Sequence, residues 1–127
     1  MSQYLQEFKS RQDVADNYGG DRYNDEKGEQ SKAILNELRG STIHLAWYGY
    51  GSYCGSSLVI YEKDGKLYEV NGSHCSCYGL EGQWKPEETS WEALKERDVT
   101  GEYDGSAEAQ ALLQRLVKRN LKKMEEK

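Results

Sequence analysis

Ser57-Leu58-Val59-Ile60-Tyr61-Glu62-Lys63-Asp64-Gly65-Lys66-Leu67-Tyr68-Glu69-Val70 is the stretch on which the fold turns. Two β-rich apolar runs flank Asp64-Gly65, and an Asp-Gly pair between such runs is a β-hairpin signal. Two registers compete. A three-residue loop, Lys63-Asp64-Gly65, with Gly65 left-handed, sets Glu62 against Lys66, Ile60 against Tyr68 and Leu58 against Val70. Leu58, Ile60, Tyr68 and Val70 then share one face. A two-residue turn sets Ile60 against Glu69 instead. The three-residue loop keeps the apolar residues together and is the expectation.

Before the hairpin, Ile43, Leu45 and Trp47 alternate with His44, Ala46 and Tyr48, which is the period of a strand with one buried face. Gly49, Gly51 and Gly55 then interrupt the pattern, so residues 49–55 read as a loose connection. After the hairpin, Asn71-Gly72 reads as a turn and His74–Tyr78 as a fourth short strand. Residues 2–17 read as a helix with Tyr4, Leu5, Phe8 and Ala15 near one face. Asn24 is placed to cap a second helix running to about Arg39, with Gly40 at its C′ position. Thr89-Ser90-Trp91-Glu92 fits a capping box opening a short helix to about Arg97. Ser106 caps the clearest helix, residues 107–124, whose stripe is Ala109, Leu112, Leu113, Leu116, Val117, Leu121 and Met124. The expected fold is a single α+β domain over residues 1–127: a three- or four-stranded antiparallel meander packed against helices that cover one face.

The 127-residue chain carries no apolar run long enough to span a bilayer and no basic-then-apolar leader. Three cysteines without such a leader point to reduced thiols and a cytoplasmic setting. The net charge of −5 is uneven: residues 81–108 hold nine acids against three bases, and residues 109–127 carry +4. The overall sign disfavours direct nucleic-acid binding, which works by neutralising phosphates.

Candidate chemistry gathers at Asn71-Gly72-Ser73-His74-Cys75-Ser76-Cys77-Tyr78. In an extended chain Cys75 and Cys77 point one way and His74 the other, so with Cys54 they do not converge as a tetrahedral zinc set. In the three-residue register Cys54 lies opposite His74, a geometry for an imidazole-supported thiolate, although no third group orients the ring. Residues 49–55 contain no phosphate-binding signature. No cofactor is implied. The aromatic supply is the better clue: ten Tyr and three Trp against one Phe, residue types that favour interfaces. Trp84, Trp91 and Tyr103 sit among the carboxylates of residues 81–108, and these three with Glu87, Glu88 and Glu92 form the expected contact set for a partner with a basic surface.

Tyr68–Trp84, followed by Pro86 and the Trp91-Glu92-Ala93-Leu94 helix start, resembles a string in small uncharacterised proteins encoded by phages and prophages. The resemblance covers about residues 55–97 and assigns no residue a role. It implies the cytosol of an infected bacterium. With the absence of a catalytic signature, the expectation is a non-enzymatic protein-binding factor, an inhibitor of a host defence or nucleic-acid-processing machine. The alternative is a small thiol enzyme or zinc protein using Cys54, His74, Cys75 and Cys77.

Overall fold

The computed structural model describes residues 4–19, 29–51, 53–75, 79–80, 82–99, 101 and 103–125. In chain order the elements are β1 (Tyr4–Gln6), α1 (Arg11–Gly19), α2 (Glu29–Leu38), β2 (Thr42–Gly51), β3 (Cys54–Lys63), β4 (Lys66–His74), β5 (Glu87–Thr89), α3 (Trp91–Lys95) and α4 (Ser106–Glu125). They build one five-stranded sheet in the order β1-β2-β3-β4-β5. β1 runs parallel to β2, and every other pair is antiparallel. The α+β class holds, but the sheet is mixed rather than a purely antiparallel meander of three or four strands.

Helices cover both faces, not one. Phe8, Val14 and Tyr18 from the N-terminal segment and Ile34 and Leu38 from α2 pack on Ile43, Ala46, Tyr48, Val59, Tyr61 and Val70. On the other face Trp91 and Leu94 of α3 and Ala109, Leu112, Leu113, Leu116 and Val117 of α4 pack on Leu45, Trp47, Leu58 and Ile60. The central strands are therefore apolar on both sides, and β3 is buried without a break from Ser57 to Tyr61.

That double burial explains the hairpin. Asp64 (φ 53°) and Gly65 (φ 79°) are both left-handed, and Lys63 pairs with Lys66. This is the two-residue turn, whose twist matches that of the strands. Ile60 consequently opposes Glu69, and Leu58 opposes Asn71. The three-residue expectation rested on gathering apolar residues on one face, an argument with no force when both faces are covered. The polar positions are met by Arg97: its Nε lies 3.8 Å from Glu69, and its Nη2 donates to Asn71 Oδ1.

Four other expectations are corrected. A bulge between Ile43 and Leu45 sends Ile43 to the α1/α2 face and leaves Leu45 and Trp47 on the other. The expected helix over 2–17 is a strand followed by a helix, with the Ser10 hydroxyl accepting from the Asp13 amide at the start of α1. Residues 49–55 are not a loose connection, because β2 and β3 stay in register to the pair Gly51 and Cys54. Asn71-Gly72 is not a turn but lies inside β4, where a Cβ on residue 72 would stand 2.7 Å from the Tyr18 hydroxyl. His74, where a further strand was expected to start, ends β4, and residues 76–78 of that expectation lie outside the described ones.

Two helix expectations agree except at their caps. The short helix α3 is present, but its cap is Ser90, whose hydroxyl accepts from the Ala93 amide at 3.1 Å, rather than Thr89 of the expected Thr89–Glu92 box. α4 presents the expected stripe through Val117 to the sheet, but Ser106 is its first residue rather than its cap, and its hydroxyl bonds the Gly101 backbone. The expected start of the second helix at Asn24 lies outside the described residues.

Candidate functional site

The tight β2–β3 connection makes a tip at one end of the sheet. Tyr50, Gly55 and His74 lie side by side on three adjacent strands. Gly55 supplies no side chain, so the flanking rings close over it. A Cβ there would fall 2.2 Å from the His74 ring. His74 sits edge-on to Tyr50, with centroids 4.7 Å apart, and to Tyr48 at 5.4 Å. The Tyr48 hydroxyl lies 2.9 Å from His74 Nδ1. Burial lowers the His74 pKa below its ordinary value, which favours the neutral ring. A neutral ring with Nδ1 unprotonated accepts from Tyr48.

One step further along the β3–β4 ladder, Cys54 and Cys75 are joined as a disulfide, with Cα atoms 4.0 Å apart. This corrects the expectation of reduced thiols at these positions. It also corrects the proposed thiol–imidazole pair. Shifting a register by one residue moves a side chain to the opposite face, so Cys54 meets Cys75 rather than His74. Bonded sulfurs neither titrate nor offer thiolate to a metal or an electrophile, and no metal-binding group of His, Cys, Asp and Glu occurs among the described residues. Cys77 lies outside the described residues.

A third anchor holds the tip from the α4 side. The Asp104 amide donates to the Tyr50 carbonyl at 2.8 Å, and Trp47 Nε1 donates to the Asp104 carbonyl at 2.8 Å. The tip is therefore tied by a disulfide, by ring packing and by hydrogen bonds. Among the described residues three large hydrophobic side chains are exposed: Tyr53 at 80%, Met124 at 55% and Tyr50 at 43%. Two of the three are on this tip.

The expected contact set does not form one patch. Trp84 is half-buried on the α1/α2 face, stacked on Tyr61 and edge-on to Tyr18. Trp91 is buried on the other face, edge-on to His44 at 5.1 Å, and Tyr103 packs into that same core. Glu87 and Glu88 are exposed on the edge strand β5, and Glu92 is exposed on α3. Lys66 stands 4.0 Å from Glu88. The tip cluster escaped the sequence reading because the glycines around it read as breakers. Gly55 between a Tyr-rich strand and a His-bearing one was the available signal, legible only in the correct register.

No helix among the described residues is long and apolar enough to cross a membrane. Comparison with protein-family models, with curated proteins and with solved structures finds no match to this chain.

Proposed function

We propose that this chain is a non-enzymatic protein-binding factor that engages its partner through the β2–β3 tip. The observation that carries the reading is the exposure of Tyr53 and Tyr50 on a hairpin clamped by Cys54–Cys75. Tyr brings a large contact area and a polar end with few rotatable bonds. A surface already fixed in place loses little freedom on association, so more of the contact energy appears as affinity. Glu87, Glu88 and Glu92, all exposed, add steering toward a basic partner surface. The phage resemblance points to host proteins as the partner pool, among them defence or nucleic-acid-processing machines; in a reducing cytosol the tip is held by the packing of Tyr50 on His74 and by the Asp104 contact.

Affinity capture from bacterial lysate tests this with two baits, the wild-type chain and Tyr50→Ser/Tyr53→Ser, matched for folding by thermal unfolding. A protein retained by the first and lost by the second is the expected result. Equal retention by both, or retention by neither, removes the tip from the function.

A further inference from the structure

α4 outlasts the body it packs against. Its last buried residue is Val117, yet the helix runs on to Glu125, about two more turns. The apolar stripe runs on with it, through half-buried Leu121 to Met124, which is 55% exposed. Between this end of α4 and α3 lies a groove of about 480 Å³, with Val117 and Leu121 in its floor and Lys95, Lys118, Lys122 and Glu125 around it. It continues over Met124 past Glu92.

The charge on this part of α4 is one-sided. Arg115, Lys118, Arg119, Lys122 and Lys123 are all exposed, against Glu125. Among the described residues none of these five bases takes part in an ion pair. Arg115 with Arg119, and Lys118 with Lys122, are like charges one helical turn apart, a spacing that destabilises a helix. The helix dipole accounts for Lys122 and Lys123 in the last turn, but it has faded at Arg115, Lys118 and Arg119. Among the described residues Glu92 and Glu125 are the acids that line the groove, and Met124 at its end stays 55% exposed.

We infer that the groove docks an acidic amphipathic helical segment of a protein partner. Its apolar residues would cover Leu121 and Met124, and its carboxylates would meet Lys95, Lys118 and Lys122. This is the helix-in-groove mode of recognition, with charge selecting the ligand. A nucleic acid offers phosphates but nothing for the apolar floor. An anionic membrane needs a broad apolar face lying in one plane, whereas here two side chains border a concave groove. The proposal goes beyond the tip reading and does not depend on it. The Asp104–Tyr50 contact places the tip near the N-terminal end of α4, and 20 residues of helix span about 30 Å. The two surfaces therefore lie at opposite ends of α4.

The test is fluorescence anisotropy with a labelled synthetic peptide of about 18 residues, Leu at helical spacing on one face and Glu elsewhere. Saturable binding is expected, weakening with salt. Lys118→Glu/Lys122→Glu and, separately, Leu121→Ser/Met124→Ser should each weaken it by about tenfold or more, with unchanged far-UV circular dichroism. Tyr50→Ser/Tyr53→Ser should leave it intact. Absence of saturation up to about 1 mM peptide, or equal binding of the same peptide with Lys in place of Glu, overturns the proposal. So does binding of phosphatidylserine vesicles or a single-stranded oligonucleotide in place of the peptide. A chain dimer abolished by Leu121→Ser would assign the groove to a second copy and overturn it too.

Discussion

Gly49→Ala puts one methyl group where the structure has no room for it. Gly49 is buried in β2, and a Cβ built there would lie 2.1 Å from the Asp104 carbonyl oxygen and 2.9 Å from Trp47 Nε1. A relaxed C···O contact sits at about 3.3 Å or more, so Asp104 has to retreat by roughly 1 Å. Asp104 cannot retreat freely, because its carbonyl accepts from Trp47 and its amide donates to Tyr50, both at 2.8 Å. Stretching both bonds costs about 1 kcal/mol each. Crowding the packed Trp47 ring adds about 1–3 kcal/mol. The expected loss is about 3–5 kcal/mol, a drop in Tm of about 10–20 °C for a domain of this size. Gly101→Ala is the control: nothing lies within 4 Å of its Cβ position, and the added methyl restricts the unfolded chain. Urea unfolding followed by tryptophan fluorescence measures both. Values within about 0.5 kcal/mol of each other would refute the claim that the 104 segment is clamped over β2.

Removing the clamp at the tip should also show in stability. Cys54 and Cys75 are 21 residues apart, and closing a loop of that length in the unfolded chain corresponds to about 3 kcal/mol. Reductant should lower wild-type stability by that order and leave Cys54→Ser/Cys75→Ser unchanged; equal sensitivity of the two would contradict the bond. His74 carries a pH dependence whose sign follows from its burial. Its folded pKa is lowered, so below the ordinary histidine pKa the unfolded chain binds more protons than the folded one. Its contribution is complete above that pH and is lost as the pH falls through it. Denaturant midpoints at pH 7 and pH 5 should differ less in His74→Gln than in wild type, and an identical difference would exclude His74 as the source.

Local signals survived into the structure where they did not depend on what lay across the sheet. Ser90, one residue past the expected cap, caps α3 and the stripe of α4 is buried through Val117, because a cap and an amphipathic stripe are properties of one segment. Position 4–6 shows the opposite case. Tyr4-Leu5-Gln6 has no strong preference of its own, and it becomes a strand by pairing with Ala46, Trp47 and Tyr48, a context no local window contains. The aromatic surplus was legible as a quantity but not as a location. A three-layer fold has two cores to fill: Trp47, Trp91, Tyr18, Tyr48 and Tyr61 go into them, Tyr4, Tyr68, Trp84 and Tyr103 pack at their margins, and among the described residues Tyr50 and Tyr53 are exposed.

The turn at Asp64-Gly65 decides the chemistry ten residues away. With a three-residue loop, Cys54 would face His74 and the tip would be a thiol–imidazole pair. With two left-handed residues the ladder shifts by one, Cys54 faces Cys75, and His74 faces Gly55. Three glycines sit where a Cβ has no room, and two of them, Gly55 and Gly72, report the β3–β4 register. Gly55 lies under the His74 ring, Gly72 under the Tyr18 hydroxyl, and Gly49 under the Asp104 carbonyl, each with a Cβ position under 3 Å from its neighbour. In the other register Ser56, rather than Ser57, would stand opposite Gly72, and His74 would have Cys54, rather than Gly55, beneath it. A residue lacking a side chain is then wasted, while one bearing a side chain is placed where a ring must pass. The glycines that look like strand breakers are therefore the residues that fit this sheet together, and they set the tip as a rigid aromatic surface rather than a thiol active site.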